Sequence, residues 1–419
     1  MENIPVPFVR NSPVTIFHVD VNSAFLSWSA AYRVHILGEQ TDLRRIPSIV
    51  GGDQSKRHGI VLAKSTPAKR YGIQTGEAIV TAREKCPNLV VVSPDYDLYV
   101  KASDAFIQKL KACSDNVIQY SIDEAWAVFE GYETLYGRGQ MVRFAHQLKD
   151  EIREELGFTV NIGVSDNFLL SKMAGDFSKP DKVHTLFPEE IPVKMWPLPV
   201  SDLFFVGKAT AARLHRLGIY TIGELACADE DMIRAHLHLC GSIVQGYARG
   251  KDLSECMFTH APNKGYGNSM TAPVDVTDAE YARHLLLSLC ETVGSRIRAD
   301  HAQISAVSVH ITSCEFVRES TQMQLMTATN VTEEIYRAAC QLFDRLWDRK
   351  TPIRQIGVHT ARVSHDSGRQ YNMFDMDKFD RLEVLNHTVD EIRARYGKEA
   401  VMRASFAGED EYVRQILRR

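Results

Sequence analysis

Residues 17–25, FHVDVNSAF, decide how the first part of this chain folds. The run TIFHVDVN that contains their first half predicts a short apolar strand ending at Asp20, and SAFLSWSAAYRVHIL after it carries apolar residues at helical spacing. A carboxylate at the end of an apolar strand is costly to bury unless a cation or hydrogen-bond donors compensate it. Asp20 is therefore the first candidate site residue.

A second acidic segment lies about a hundred residues further on, at residues 120–126, YSIDEAW. Asp123 and Glu124 fall in the middle of VIQYSIDEAWAVF, which predicts one continuous strand. Neighbouring residues on a strand face opposite sides, so both can serve one site only if the strand is bent or lies at a sheet edge. A lone Asp-Glu pair is more often a solvated turn. Three carboxylates converging from two strands would instead form a hard oxygen-ligand site for Mg²⁺ or Mn²⁺, typical of phosphoryl chemistry.

The bulk composition limits the class of protein. The 419 residues are enough for several compact units, and 44% apolar with 24% charged residues is ordinary for a globular protein. No apolar run is long enough to span a membrane, and the first residues do not resemble a signal peptide. Eight scattered cysteines without a CxxC pair indicate reduced thiols and a cytoplasmic protein. The formal net charge of −4 counts mildly against nucleic-acid binding unless basic patches are segregated.

The order of elements predicts an α+β multidomain protein. Strands and helices alternate up to about residue 186, with hairpin-like pairs such as RRIPSIVGG and GIVLAKS, which favours an antiparallel or mixed sheet with helices on one face. Residues 201–254 are predicted to be helical. A third unit reads as a βαββαβ-like order, and a charged helix follows near the end of the chain.

Six segments in this order resemble Y-family DNA polymerases, most closely the bacterial DNA polymerase IV and UmuC-like branch. They are FHVDVNSAF, GIVLAKSTPAKRYGI, YSIDEAW, NIGVSDNFLLSKMAGDFSKPDK, VGKATAARLHRLGIYTIGEL and KGYGNSM. The resemblance implies a right-hand polymerase with a palm (residues 1–26 and 93–186), small fingers (27–92), a helical thumb with a helix-hairpin-helix (187–256), a little-finger domain (263–365) and a C-terminal tail (366–419).

The resemblance also assigns roles at the acidic site. Asp20, Asp123 and Glu124, with the carbonyl of Val21, are expected to bind two Mg²⁺ ions, for which Mn²⁺ is a possible substitute. Asn22 stands where many relatives carry a second Asp, so extra metal ligation there is not expected. Phe25 occupies the position of the steric gate that excludes the ribonucleotide 2′-hydroxyl, although an aromatic residue at this place in a helix is otherwise usually part of a core.

For the triphosphate, the family usually offers Tyr-x-x-Arg and a later Lys. The matching positions here are Thr66, Lys69 and Lys179. Thr66 keeps a hydroxyl donor but lacks the ring, and Lys69 supplies a point charge where Arg would supply a planar fork. Without the resemblance, Lys69 would be read as part of a solvated helix face.

Two further segments point to macromolecular partners. VGKATAARLHRLGI resembles a helix-hairpin-helix, whose turn amides bind a DNA phosphate without reading sequence, with Lys208 and Arg213 adding charge. An ordinary helical hairpin is the alternative. Residues 370–374, QYNMF, are similar to a sliding-clamp-binding peptide, with Gln370, Met373 and Phe374 as its anchors.

The function implied is template-directed, low-fidelity DNA synthesis past damaged bases, with primer–template DNA, deoxynucleoside triphosphates and a sliding clamp as partners and no membrane. Two alternatives stay open at this point. One is a nucleotidyl cyclase-like palm enzyme, which needs no DNA-gripping domains. The other is a non-catalytic DNA- or clamp-binding scaffold, against which the intact Asp20, Asp123 and Glu124 speak.

Overall fold

The computed structural model describes residues 13–52, 59–252, 262–365 and 376–406, which form two compact units. Unit one contains the first two of these ranges and unit two the others. Unit one is built on eight strands within the described residues: β1 (Val14–Val21), β2 (Ser48–Gly51), β3 (Val61–Lys64), β4 (Val90–Val92), β5 (Asn116–Gln119), β6 (Glu124–Glu130), β7 (Val160–Ser165) and β8 (Val183–Thr185).

The helices of unit one follow the predicted segments closely. They are α1 (Ala24–His35), α2 (Thr66–Lys69), α3 (Ile79–Lys85), α4 (Tyr96–Lys111), α5 (Tyr132–Tyr136), α6 (Arg138–Leu156), α7 (Phe168–Asp176), α8 (Ile191–Lys194), α9 (Lys208–Arg216), α10 (Ile222–Cys227) and α11 (Glu230–Ala248). Several begin at residue types that are typical helix N-caps: the side chains of Asp95, Asn167 and Thr221 each accept a hydrogen bond from a first-turn amide.

A five-stranded mixed sheet in the order β5-β6-β1-β7-β8 carries the acidic segments. All of its pairs are antiparallel except β7 with β8. Alternate residues of β1 enter two different cores: Phe17, Val19 and Val21 pack towards α4 and α6, whereas Val14 and Ile16 pack towards α7. The expectation of helices on one face was therefore wrong. A strand as apolar as TIFHVDV has no polar face to expose to solvent, so both of its faces must be covered by other elements.

The second correction concerns the segment predicted as one long strand across residues 117–129. It is a hairpin, in which β5 ends at Gln119, residues 121–123 bend, and β6 begins at Glu124. The amides of Tyr120 and Ser121 both donate to the carbonyl of Glu124, at 3.0 and 3.1 Å, and close the turn. The apolar pattern continues through the turn, so periodicity alone did not reveal it.

A smaller sheet in the order β3-β2-β4 packs with α2 and α3 around its own core, which includes Ile49, Val61 and Ile79. The β2–β3 pair is antiparallel, as the predicted hairpin required. The helices α9 to α11 share a core with α7 and the β1–β6 face, so within unit one the helical segment packs directly on the sheet.

Unit two has the predicted βαββαβ order in its main body. It consists of β9 (Gly265–Val276), α12 (Ala279–Ala299), β10 (Gln303–Ser313), β11 (Arg318–Thr329), α13 (Thr332–Leu346) and β12 (Ile353–Ser364), followed by α14 (Met376–Tyr396). The strands form an antiparallel sheet in the order β11-β10-β12-β9. Val307, Val309 and Ile311 are buried under the helices while Ser308 and His310 are not, so β10 has one apolar and one polar face.

A buried ionic cluster attaches the last described segment to unit two. Glu291 on α12 accepts hydrogen bonds from Arg393, at 2.9 Å, and from Arg403. Arg298, also on α12, pairs with Asp390 at 2.6 Å. Among the described residues, no helix is both long and apolar enough to cross a membrane.

Candidate active site

The pairing of β1 with β6 places the backbone of the three predicted acidic residues side by side. Asp20 and Glu124 are directly opposite each other across the antiparallel ladder, and the amide of Val21 donates to the carbonyl of Asp123 at 3.0 Å. Opposed residues share a sheet face, which here is the face covered by α7. The backbones of two segments that are separated by about a hundred residues in sequence therefore lie next to each other in the sheet.

The bend before β6 explains how Asp123 and Glu124 can contribute to the same site although neighbouring residues of a strand face opposite sides. Asp123 lies in the bend and not within the strand, so the alternation rule does not separate it from Glu124. Ser121 fixes the bend because its hydroxyl donates to Asp123 Oδ1 at 2.6 Å, and the amide of Asp123 donates back to Ser121 Oγ at 3.3 Å. Ser121 thus has a structural role.

Two lysines from the α7 side neutralise two of these carboxylates. Lys179 Nζ donates to Asp20 and also pairs with Asp176 at 2.8 Å. Lys172 Nζ donates to Glu124 Oε2 at 2.8 Å. Each carboxylate is turned to its lysine. Within the ranges that the structure describes, no three His, Cys, Asp or Glu side chains are gathered around one point as ligands of a single ion.

The electrostatics of Asp20 reflect this crowding. Its side chain is almost fully buried, and burial raises its pKa from 3.8 to about 6, helped by the charges of Glu124 and Asp123 and opposed by Lys179. A carboxylate that is deprived of water beside two others is stabilised by any cation that reaches it. The donor set, made only of oxygen, fits a hard divalent ion.

A cavity of about 750 Å³ opens beside Asp20 and Asp123 and contains most of the predicted nucleotide residues. Phe25 forms part of its wall. The ring of Phe25 is stacked on Tyr99, with centroids 4.5 Å apart and planes 8° from parallel, and Tyr99 is held by a 3.0 Å hydrogen bond with Ser29. The half-buried Phe25 therefore has one ring face fixed by the core and lies at the cavity surface, where a gate residue would be expected.

Cationic and hydroxyl groups also line this cavity. Thr66 and Lys69 are exposed on α2, and Lys179 reaches the same cavity from the segment after α7. Four basic residues of this lining were not predicted: Arg44, Arg45, Lys64 and Arg153. Lys64 ends β3 two residues before Thr66, so its closeness in sequence to a predicted site residue was a usable signal. The other three come from segments that only the tertiary structure places here.

Asn22 has a structural role. It is buried, and its amide nitrogen donates to Asn161 Oδ1 at 3.1 Å. Its oxygen accepts from Thr159 Oγ1 at 3.1 Å and from the Asp181 amide at 2.8 Å. Asn22 therefore connects the end of β1 to β7 and to the segment after Lys179. Its side-chain oxygen already accepts two hydrogen bonds, so we do not count it among the oxygen ligands of the acidic site.

The predicted helical hairpin is present. Phe205, with a φ of 72°, turns the chain, Gly207 precedes the first residue of α9, and α10 follows after Gly218. Lys208 and Arg213 are both exposed on α9. The predicted clamp-binding peptide, Gln370 with Met373 and Phe374, lies outside the described residues.

Similarity to known proteins extends over nearly the whole chain. The impB/mucB/samB family model matches residues 19–176, its C-terminal domain matches residues 263–373, and the IMS family HHH motif matches residues 188–219. The chain is 43% identical to DNA polymerase IV of Clostridium acetobutylicum over 396 residues, which cover 94% of this chain and 99% of that one. It is 34% identical to DNA polymerase IV of Acetivibrio thermocellus and 33% identical to DNA polymerase IV 2 of Bacillus subtilis, each over 93% of this chain.

Solved structures agree on the fold. A Y-family DNA polymerase chimera of Dbh and Dpo4 superimposes with a TM-score of 0.68, covering 84% of this chain at 19% identity. A Dbh ternary complex superimposes with a TM-score of 0.53 over 83% of this chain. The architecture is thus that of a right-hand polymerase with palm, fingers, thumb and little-finger domains.

Proposed function

This chain belongs to the impB/mucB/samB family, and from that premise we infer that it is a DNA-directed DNA polymerase of the Y family that performs translesion synthesis. The observation that carries this inference is the 43% identity to a DNA polymerase IV over almost the full length of both chains. Its substrates are DNA and deoxynucleoside triphosphates. The cyclase and scaffold alternatives are not favoured.

We assign metal binding to Asp20, Asp123 and Glu124, with the carbonyl of Val21 as a further oxygen ligand. Support comes from their adjacency across β1 and β6, and from the raised pKa of Asp20, whose burial disfavours the ionised carboxylate until a cation reaches it. Two Mg²⁺ ions, or Mn²⁺ in their place, would lower the pKa of the primer 3′-hydroxyl and stabilise the departing pyrophosphate. The protein's part is to hold the carboxylates in register by means of the Ser121 turn and the sheet.

The cavity beside these carboxylates is assigned to the incoming nucleotide. Lys179, Lys69 and Thr66 would bind the triphosphate, and Lys179 would exchange its pairing with Asp20 for one with phosphate when divalent ions neutralise the carboxylate. Phe25 would exclude a 2′-hydroxyl, because its stacking on Tyr99 leaves the ring no space to retreat. The reaction is attack of the primer 3′-hydroxyl on the α-phosphate, with release of pyrophosphate.

DNA contacts are assigned to two elements described above. The amides at the start of α9, with Lys208 and Arg213, would bind the backbone of the duplex without reading its sequence. The polar face of β10, with Ser308 and His310, offers a second surface for the duplex in unit two. Residues 370–374 would bind a sliding clamp. We place the protein in the cytoplasm, together with the chromosome.

Primer extension with Mg²⁺ tests the assignment. The wild-type protein should extend a primer on a template that carries a damaged base, and Asp123→Asn should not. Asp104→Asn, an exposed position on α4, is the matched control and should behave as wild type. Metal-dependent extension by Asp123→Asn at the wild-type rate would remove Asp123 from the metal site. Absence of extension by wild type would defeat the whole proposal.

A further inference from the structure

Lys172 is a buried ammonium group for which the reaction outlined above gives no role. Its residue is only 6% exposed, and it projects from the middle of α7 towards the sheet. Nζ donates to Glu124 Oε2 at 2.8 Å and lies 3.4 Å from His18 Nε2. A buried cation that contacts a proposed metal ligand is costly to retain without a purpose.

Three aromatic rings enclose this ammonium group. Its nitrogen lies 5.0 Å from the ring centroid of Tyr120, 5.3 Å from that of Phe204 and 5.8 Å from that of Trp126. The Trp126 ring is itself fixed, since its Nε1 donates to the Phe168 carbonyl and to Ser171 Oγ, both at 3.1 Å. Ring faces attract a cation and offset part of the hydration it has lost. The cage therefore holds the charge in one position.

The backbone beneath the cage is equally constrained. A Cβ on Gly163 of β7 would lie 1.8 Å from the Ser171 carbonyl oxygen, so only glycine allows α7 to approach the sheet this closely. That approach is what brings the lysine stem within reach of Glu124. The position of Lys172 is thus set by helix–sheet packing as well as by the rings.

Lys179 also contacts a proposed metal ligand, Asp20, but it is much less enclosed than Lys172. Its side chain is 35% exposed, it follows α7 and does not lie within it, and it lines the nucleotide cavity. It is free to exchange one anion for another. Lys172 cannot exchange Glu124 for another anion in this way, because the three aromatic rings and the sheet surround its ammonium group.

We propose that Lys172 is a positioning residue that remains bonded to Glu124 Oε2 throughout the catalytic cycle and directs Oε1 towards the metal ions. It would prevent Glu124 from binding an ion through both oxygens, and so fix where that ion lies relative to the primer end. The proposal rests on the role of Glu124 as a metal ligand in the proposed function. In addition to that role, Lys172 is the group that orients the Glu124 carboxylate; without Lys172, Glu124 would still be present but would point in the wrong direction.

Replacing the ammonium group without changing the shape of the side chain tests this role. Lys172→Met keeps the length of the stem and removes both donor and charge, and Lys111→Met, at an exposed end of α4, is the matched control. Loss of a group that orients a metal ligand typically costs about 10- to 100-fold in activity, and we expect that loss in kcat with the KM for nucleotide changed less than about 3-fold. Mn²⁺ binding to the protein alone, measured by electron paramagnetic resonance, should be at least as tight as in wild type, because a repelling charge has gone.

This pair of readouts separates positioning from simple support of the fold. A kcat within about 2-fold of wild type would overturn the proposal. So would a parallel loss of kcat and of Mn²⁺ affinity, since that pattern indicates a damaged site. If wild type extends primers and Asp123→Asn does not, the proposed function stands whichever result Lys172→Met gives.

A measurement on the unmutated side chain covers the case in which Lys172→Met does not fold. Protein labelled with ¹⁵N at lysine Nζ should show one slowly exchanging ammonium signal whose protons are shifted upfield by the three rings, and Lys172→Arg assigns it by its loss. We expect this signal to persist when Mg²⁺, a non-extendable primer–template and a nucleotide are added. Its disappearance on assembly of that complex would show that Lys172 leaves Glu124, which contradicts the proposal.

Discussion

Asp20→Asn should stabilise unit one in the absence of divalent ions while abolishing activity. The carboxylate of Asp20 is nearly buried, and its pKa rises from 3.8 to about 6 on folding. A shift of about two pKa units corresponds to about 3 kcal/mol, by which the ionised group opposes folding at neutral pH. The amide of Asn has nearly the same shape and carries no charge, so it escapes this cost, although it also gives up part of the attraction to Lys179. A gain of about 1–3 kcal/mol is therefore expected at pH 7.

The direction of the pH dependence follows from the same shift. Below about pH 4 the carboxyl is protonated in both folded and unfolded chains, so wild type and Asp20→Asn should be equally stable there. Between about pH 4 and pH 6 the folded protein keeps the proton that the unfolded chain releases, so wild-type stability falls as pH rises, and above that range the difference is constant. Mg²⁺ should reverse the order at pH 7, because an ion bound only by the folded wild type adds stability.

Urea unfolding followed by tryptophan fluorescence measures these differences, since Trp28, Trp126 and Trp196 all report on unit one. The titrations would be run in EDTA and in Mg²⁺ at pH 4 and pH 7. Two results would refute the reasoning. One is Asp20→Asn less stable than wild type in EDTA at pH 7. The other is a stability difference that persists unchanged at pH 4.

Three further predictions concern other regions. Phe25→Ala should raise ribonucleotide incorporation at least about 10-fold, and Tyr99→Leu should raise it less, because Tyr99→Leu removes the ring on which Phe25 stacks but leaves the Phe25 ring in place. Single-nucleotide kinetics with matched ribo- and deoxynucleotides measures both effects. Unchanged sugar selectivity in Phe25→Ala would show that Phe25 is not the steric gate. Met373→Ala with Phe374→Ala should weaken binding to a sliding clamp in a surface-based assay without changing extension on short templates, and equal binding would reject the peptide. Glu291→Ala should destabilise unit two by about 1.5–3 kcal/mol, because it removes the buried carboxylate that Arg393 and Arg403 share, although Arg403 keeps its pairing with Glu333. Urea unfolding followed by the fluorescence of Trp347 measures the free energy of unfolding, and a loss below about 0.5 kcal/mol would show that the cluster is effectively solvated.

Much of this structure was predictable from local pattern. The apolar run of β1, the amphipathic spacing of α4 and the capping residues of α7 and α10 specify their elements within a few residues. The order of the motifs predicted the polymerase class, and the alternation of polar and apolar residues along β10 is typical of a strand with one polar and one buried face. These features depend on residues that are neighbours in the chain, so sequence contains them.

What sequence did not reveal depends on the partner of each element. Because Tyr120 and Ile122 continue the apolar alternation of the strands around them, only the closing hydrogen bonds of Tyr120 and Ser121 show that Asp123 lies outside β6. The second helical layer on the sheet was missed because a strand buried on both faces has no amphipathic signal.

The basic lining from Arg44 and Arg153 and the aromatic cage around Lys172 likewise combine residues from segments far apart in the chain. Sequence by itself determined which residues could do the chemistry. Only the tertiary structure decided which of them meet, because contact between distant segments is set by the packing of whole elements and not by the spacing of residues along one of them.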